Sequence, residues 1–373
     1  MMKSALSIAI LVIMISLSGS CESDDQEPAI SNSITIPEYE ISIDDSFGVE
    51  LGDSLNMIGS INGLCNHPDG SILLLDRSSL RIRVITTEGD SYLISRRGDG
   101  PGELLLPQAI CALHDGRILV SDEMKQEVMS FDIAGNYLGS YFTTDRYVPL
   151  SMYPLDSSSI AGLMMKLEMS DEEIIFSSII GRFDASSIPS VVFNSREWIW
   201  PAPEMYTEIN LIDFTADCEG NVFIAVDNTE YHISVYTPNG TELLQIERDD
   251  VNRMPKSPEE IQAEIDDFEE WAVQDQAYTG GYEPSPFYQL ISLAGTDAEG
   301  NLWVVRHDSD IDYLFDIWNR SGDMIYTARL YRNEKDPGLF FSVDQIGIIA
   351  AISNSSRFER VYTLDIDMPA DGS

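Results

Sequence analysis

The residues best suited to chemistry in this sequence are five arginines within 21 positions: Arg77, Arg81, Arg83, Arg96 and Arg97. The chain has 22 Lys and Arg against 63 Asp and Glu, so the cluster is unusual in a protein with a formal net charge of −41. Guanidinium groups bind carboxylate, phosphate and sulfate through paired hydrogen bonds. The cluster therefore predicts either a small anion site or ion pairs with the protein's own carboxylates. Arg81 and Arg83 alternate with Ile82 and Val84, which also fits the solvent side of a strand.

Arg96 and Arg97 lead into a loop of sequence Gly98-Asp99-Gly100-Pro101-Gly102-Glu103. Three glycines and a proline in five residues exclude a helix. The backbone N–H groups of such a loop could add to an anion site. His307 stands beside Arg306 at the end of another strand-like run. The predicted ligand-binding residues are Arg77, Arg96, Arg97, Arg306 and His307.

Signals for metals and for catalysis are weak. Asp76, Asp122 and Asp227 recur at the ends of apolar runs. They could bind calcium if they converged, although a recurring turn aspartate is typical of a local hydrogen-bond acceptor. The 4 histidines lack metal-type spacing. The sequence has no Gly-x-Ser-x-Gly, phosphate-binding loop or His-Glu-x-x-His motif. We predict no cofactor, with calcium at the aspartates as the alternative.

The elements that would position these residues come from a repeat. An acidic-Gly turn followed by an apolar run recurs, and a second glycine follows 19 to 22 residues later. Each glycine pair predicts two hairpins and therefore four strands. A degenerate unit around Ser159–Phe183 and a last unit at Phe341–Ile366 complete the series. The paired glycines are Gly70 and Gly89, Gly116 and Gly135, Gly220 and Gly240, and Gly300 and Gly322.

With its Gly-x-Gly-Pro-Gly-Glu loop, Gly98–Glu103, this repeat resembles the bacterial six-bladed β-propeller lipoproteins, which are NHL-like and TolB-like, over about residues 55–366. The resemblance implies an all-β fold of six four-stranded antiparallel blades over residues 33–368. A ring must close to avoid bare strand edges. We expect the β-rich stretch Ile34–Ile43 to pair with the last blade near Tyr362–Ile366.

A helical insertion interrupts the repeat at about residues 256–288, between the fourth and fifth blades. Ser257 and Glu260 form a capping-box pattern, and Pro258 suits the first helical turn. The insertion and the Gly98–Glu103 loop both join an outer strand to the next inner strand, so we expect them on one face. The helix would serve as a lid or docking element, or would only cover apolar surface.

The first 20 residues have the features of a signal peptide. Lys3 precedes an apolar run, Ala5–Leu17, that is too short to span a bilayer. Small residues before Cys21 predict a lipidated cysteine followed by an acidic tether at residues 21–32, and ordinary secretory cleavage is the alternative. Cys65 and Cys111 occupy equivalent inner-strand positions, and a bridge between them stays open. We expect a protein exported to the cell envelope and lipid-anchored to a bacterial membrane.

These features favour a non-catalytic binding module over an enzyme. The expected partner is a protein or a small anionic ligand, bound at the face with the Gly98–Glu103 loop and the inserted helix. A metal-assisted hydrolase or lyase with a cation in the central channel is the alternative. The acidic surface excludes nucleic acid, and its origin, a saline habitat or ordinary solubility, stays open. We expect a monomer that meets the membrane only through its lipid anchor.

Overall fold

The structure, a computed structural model, describes residues 36–48, 57–170, 173–274, 281–309, 312–331, 338–352 and 359–367. Within these residues the regular structure is β-strand apart from two helices, which agrees with the predicted all-β class. The predicted signal peptide and tether, including Cys21, fall in residues 1–35, outside the described residues. No helix in the described ranges is long and apolar enough to cross a bilayer.

Strand β1 (Glu38–Phe47) begins the described chain and is followed by four separate antiparallel sheets of four strands each. The first two sheets hold β2 (Ile61–Asn66), β3 (Ile72–Asp76), β4 (Arg81–Ile85) and β5 (Ser91–Ile94), then β6 (Pro107–Ala112), β7 (Ile118–Asp122), β8 (Glu127–Phe131) and β9 (Tyr137–Thr143). The next two hold β10 (Ser151–Pro154), β11 (Ile160–Met169), β12 (Ile174–Phe183) and β13 (Val191–Ile199), then β14 (Asp213–Ala216), β15 (Val222–Ala225), β16 (His232–Tyr236) and β17 (Glu242–Glu247).

Glycines with a positive φ make the hairpins of these sheets. In the first sheet Gly70 has φ +90° and Gly89 has φ +85°, and in the second Gly116 and Gly135 have +86° and +88°. A side chain would strain the backbone in this conformation, so glycine specifies each turn. The paired-glycine hairpins predicted from the sequence are therefore confirmed.

The remaining strands join β1 in one closed eight-stranded sheet of order β1-β21-β20-β19-β18-β22-β23-β24. They are β18 (Ile291–Thr296), β19 (Leu302–Arg306), β20 (Asp312–Trp318), β21 (Met324–Tyr331), β22 (Leu339–Val343), β23 (Ile348–Ile352) and β24 (Val361–Asp367). The prediction of six four-stranded blades is therefore wrong, because strands assigned to two blades belong to one sheet.

Two parallel contacts produce this larger sheet. Strand β1 pairs with β21, with Glu38 opposite Thr327, and β18 meets β22 where Gly295 lies opposite Val343. A Cβ on Gly295 would lie 1.9 Å from the Val343 carbonyl oxygen, so only glycine allows the two backbones to approach this closely. The spacing of the turn glycines along the sequence does not predict such contacts between distant segments.

The N-terminal strand also closes the ring of sheets. Strand β1 pairs antiparallel with β24, with Ile41 opposite Ile366 and Phe47 opposite Val361. The predicted pairing of the N-terminal stretch with the final strand is therefore confirmed. Because β1 is bonded on both sides, neither β21 nor β24 presents a bare edge along the paired residues.

Apolar side chains fill the spaces between neighbouring sheets. One cluster joins Leu75 and Ile82 of the first sheet to Ile110, Val120 and Phe131 of the second. The inner strands β2, β6, β10, β14, β18 and β22 contact one another in this order, and β22 contacts β2. They therefore surround a central channel.

Two helices lie on connections between an outer strand and the next inner strand: α1 (Met205–Asn210) before β14 and α2 (Pro258–Gln274) before β18. The predicted capping box of α2 is confirmed, because the Ser257 N–H donates to Glu260 Oε2 at 2.8 Å and the Glu260 N–H donates to Ser257 Oγ at 3.2 Å. The rings of Tyr206 and Phe268 meet at 5.2 Å. The two helices therefore pack together on one set of connections.

Candidate functional site

The central channel holds a cavity of about 260 Å³ lined by all the inner strands. Cys65, Cys111 and Cys218 line it and are free cysteines, so the bridge between Cys65 and Cys111 is not formed. Burial raises the pKa of the Cys65 thiol well above its usual range and that of Cys111 to about 12. Both thiols are therefore uncharged at neutral pH and are poor nucleophiles.

A second cavity of about 470 Å³ lies at the end of the channel where the inner strands begin. It shares Tyr153, Ala294, Phe340 and Phe341 with the channel cavity, so the two spaces are adjacent. We call it the mouth cavity. Its polar side chains are Asp213, Gln289, Ser292 and His307, and its larger apolar and aromatic side chains are Tyr153, Leu293, Val305, Leu339, Phe340 and Phe341.

Ser292 and His307 form a hydrogen-bonded pair in the mouth cavity. Ser292 Oγ lies 2.7 Å from His307 Nε2, and Gln289 Nε2 donates to Ser292 Oγ at 2.8 Å. Burial lowers the pKa of His307, so its imidazole is neutral at pH 7. Because Ser292 Oγ accepts the bond from Gln289, its own hydrogen can be donated to His307 Nε2. We assign the His307 proton to Nδ1 on this basis.

Asp213, the first residue of β14, supplies the only carboxyl group among the described residues that line the mouth cavity. Its Oδ2 accepts the Leu293 N–H at 2.7 Å. Burial raises the pKa of Asp213 to about 6, although the backbone N–H groups of Leu293 and Phe214 favour the ionised form. Burial, together with the Asp213 charge, also raises the pKa of Tyr153. The cavity thus combines a carboxyl that titrates near neutral pH with a phenol that stays protonated.

The mouth cavity has the composition of a small-ligand site. Such sites have volumes of roughly 300–1,000 Å³, with mostly apolar walls and a few converging polar groups. The polar groups here come from three separated segments, since Asp213 opens β14, Ser292 lies in β18 and His307 follows β19. The arrangement can hold a ligand with an apolar body and orient it through hydrogen bonds.

Of the predicted ligand-binding residues, His307 lines the mouth cavity and the four arginines do not. Arg77 is exposed in the turn after β3, and Arg97 is exposed in the glycine loop. The Arg96 Nε donates to Glu103 Oε1 at 2.6 Å. Arg306 faces carboxylates, with its Nε 3.3 Å from Asp308 Oδ1. The ion-pair alternative therefore describes two of the arginines, and an anion-binding role for the set stays a prediction.

The anion bound by the backbone of the glycine loop is the carboxylate of Glu103, a residue of the same loop. The Gly100 N–H donates to Glu103 Oε2 at 2.8 Å, and a Cβ on Gly98 would lie 2.0 Å from that oxygen. The Gly100 N–H bond, followed by the bond from Arg96, lowers the pKa of Glu103. An N–H group expected to face an external anion is therefore bonded to Glu103.

The recurring strand-end aspartates bind backbone N–H groups. Asp76 accepts from Gly59 and Ser60, and Asp122 accepts from Leu105 and Leu106, on the connections that enter their sheets. The local-acceptor interpretation is therefore correct for Asp76 and Asp122. Among the described residues, no group of three or more His, Cys, Asp or Glu could hold a metal ion.

A buried ionic network lies at the junction of the fourth sheet and the eight-stranded sheet. Asp316 is 1% exposed, and its Oδ2 accepts from Arg248 Nη1 at 2.7 Å and from the Tyr231 hydroxyl at 2.8 Å. The Trp318 Nε1 in turn donates to the Tyr231 oxygen at 2.8 Å. These contacts join Tyr231, just before β16, and Arg248, just after β17, to β20.

Sequence reasoning did not single out Asp213, Gln289 or Ser292. A signal was available in the repeat, because Asn62, Gln108 and Ser292 each lie eight residues before a turn glycine, and Asp213 lies seven before Gly220. These positions begin the inner strands. Polar residues there, followed by small or apolar ones, mark the side chains nearest the channel mouth.

No protein-family model matches the sequence, and no curated protein matches it. A solved Bacteroides fragilis protein described as exported is 13% identical, with a TM-score of 0.50 over 90% of this chain and 100% of that chain. A member of the duf4221 family from Bacteroides vulgatus is 13% identical, with a TM-score of 0.51 over 89% of this chain and 99% of that one. At these identities the likeness extends to fold alone, and that fold is a β-propeller.

Proposed function

We propose that the protein is a non-catalytic binding protein that takes a small ligand into the mouth cavity. The observation that carries this proposal is the convergence of Asp213, Gln289, Ser292 and His307 on one space of about 470 Å³. Helix α2 and the Gly98–Glu103 loop each lie on a connection from an outer strand to the next inner strand, as do the segments that enter this cavity. A protein partner that docks on the face formed by these connections would meet the mouth cavity.

The hydrogen-bonding state of the cavity supports binding over chemistry. No carboxylate of the described chain is hydrogen-bonded to His307 Nδ1, which a catalytic triad would use to orient the imidazole. The metal-assisted alternative has no support among the described residues, since no candidate metal ligands cluster there.

Export and lipid anchoring complete the proposal. The apolar run Ala5–Leu17 and the small residues before Cys21 support cleavage and lipidation at that cysteine. The structurally similar Bacteroides fragilis protein is described as exported. A lipid anchor would hold the binding face at the cell envelope without a membrane-spanning helix.

Ligand-observed NMR against a library of small polar compounds tests the proposed cavity. Ser292→Phe would fill it, and Ser321→Phe, at the exposed β20–β21 turn, is the matched control. We expect compounds that bind the wild type to bind the control equally and to lose affinity at least about tenfold in Ser292→Phe, a loss of about 1.4 kcal/mol. Equal binding to all three proteins, or no binding to the wild type, would refute the proposal.

Ester hydrolysis is a second candidate, favoured by the 2.7 Å contact between Ser292 Oγ and His307 Nε2. His307 would accept the serine proton as Oγ attacks the acyl carbon and would give it to the departing alcohol as the ester C–O bond breaks. Water would then hydrolyse the acyl-serine, which releases the carboxylic acid and restores the serine hydroxyl. Turnover of p-nitrophenyl acetate that disappears in Ser292→Ala would support it. Equal background rates in both proteins would exclude it.

A further inference from the structure

We infer that the ligand of the mouth cavity is an organic cation, an ammonium group on an apolar or aromatic body. This inference rests on the proposed binding function and specifies its ligand class. It differs from the anionic ligand expected from the arginine cluster. Three features of the cavity carry it: an unpaired carboxylate, the absence of basic side chains in the described lining, and aromatic walls.

The first feature is the carboxylate of Asp213. The contacts that hold it are backbone N–H groups, from Leu293 at 2.7 Å and from Phe214. No salt bridge joins Asp213 to a Lys, Arg or His of the described chain, whereas Asp312 and Asp316 each face an arginine. A partly buried negative charge without a counter-ion is costly, and a cation brought by a ligand would reduce that cost.

The second feature is the charge of the lining. The described residues around the mouth cavity include no Lys or Arg. The neighbouring Arg306 is directed to Asp308 and Asp316, and His307 is neutral. With a net charge of −41 on the chain, the cavity attracts cations and repels anions.

The third feature is the wall formed by Tyr153, Phe340 and Phe341. Aromatic rings attract ammonium groups through their negative faces, and quaternary ammonium ligands are commonly recognised in this way. A metal ion fits less well, because calcium takes six to eight oxygen ligands and the described lining offers one carboxyl group. The shape and chemistry therefore favour an organic ammonium over an inorganic cation.

The ionisation of Asp213 gives the binding a pH dependence. The titratable groups that face it are Tyr153 of β10 and His307 after β19, while the described lining from β18 and β22 adds only uncharged side chains. Tyr153 and His307 are both neutral at pH 8. The carboxyl is ionised at pH 8 and mostly protonated at pH 5, because its pKa is about 6. Binding of a cation should therefore weaken about tenfold between pH 8 and pH 5.

A charge series of matched shape tests the inference: benzylammonium, benzyl alcohol and benzoate, titrated by NMR. At pH 8 we expect the wild type to bind benzylammonium at least about tenfold more tightly than benzyl alcohol and not to bind benzoate measurably. Asp213→Asn should bring the ammonium-to-alcohol ratio close to one. The matched control Asp323→Asn, on the exposed β20–β21 turn, should leave the ratio unchanged.

The outcomes separate the two proposals. If benzyl alcohol binds as tightly as benzylammonium, and Ser292→Phe abolishes both, the cavity binds ligands but the cation inference is wrong. Preferential binding of benzoate, or an unchanged ratio in Asp213→Asn, would also overturn it. If no compound binds in a way that depends on Ser292, the proposed binding function fails as well.

Discussion

Replacing Asp213 by Asn should stabilise the protein at pH 8. Folding raises the pKa of this carboxyl from 3.8 to about 6. A raised carboxyl pKa means that the folded state favours the protonated form, so stability is highest at low pH and falls as the pH rises through about 6. The full difference of about two pKa units corresponds to about 3 kcal/mol at pH 8.

Asparagine removes the charge and keeps an oxygen that can accept the Leu293 N–H. Burying the amide offsets part of the gain, so we expect Asp213→Asn to raise the free energy of unfolding by about 1–3 kcal/mol at pH 8. The gain at pH 5 should be smaller by about 1.5 kcal/mol, because the wild-type carboxyl is then largely protonated.

Urea unfolding followed by tryptophan fluorescence at pH 5 and pH 8 measures both values. Asp323→Asn removes the same charge from an exposed turn and corrects for the effect of lowering the net charge. A gain in Asp213→Asn that is equal at the two pH values, or no larger than that of Asp323→Asn, would show that Asp213 is not held in a poorly solvated site.

Three further perturbations follow from the fold. Asp316→Asn should lower the free energy of unfolding by about 1.5–3 kcal/mol in urea, because Arg248 Nη1 and the Tyr231 hydroxyl lose a buried charged acceptor while Arg248 keeps only the exposed Asp250; a loss below 1 kcal/mol would contradict the network. Deleting residues 36–43 should remove hydrogen-exchange protection from residues 365–367 of β24, which pair with β1 alone, and protection that survives there would show that β1 does not close the ring. Cys21→Ala should move the protein from the membrane to the soluble fraction, whereas Cys218→Ala should not; an unchanged distribution would exclude a lipid anchor at Cys21.

The elements that local chemistry determines were predictable. The turn glycines and the Ser257–Glu260 capping box depend on residues that are close together in the sequence. The β1–β24 pairing was expected because an unpaired edge strand needs a partner. The eight-stranded sheet was not predictable, because the approach of Gly295 to Val343 joins segments 48 residues apart and obeys no repeat.

The candidate site was harder to predict than the fold. Ser292 and His307 meet across the β18–β19 hairpin, whereas Asp213 belongs to β14 and only the ring arrangement brings it next to them. The arginine cluster gave a stronger local signal, but the structure pairs Arg96 with Glu103, a carboxylate from the same loop.

The pairing of β1 on both sides has a consequence for biogenesis. This strand is the first of the described elements to be synthesised, and its antiparallel partner β24 is the last. Strand β1 therefore cannot form this pairing until nearly all of the described chain has been synthesised. During that interval β1 is an unpaired strand that could recruit a neighbouring nascent molecule. Its sequence carries four carboxylates in ten residues, and their mutual repulsion would keep two such strands apart until the chain's own C-terminal segment arrives.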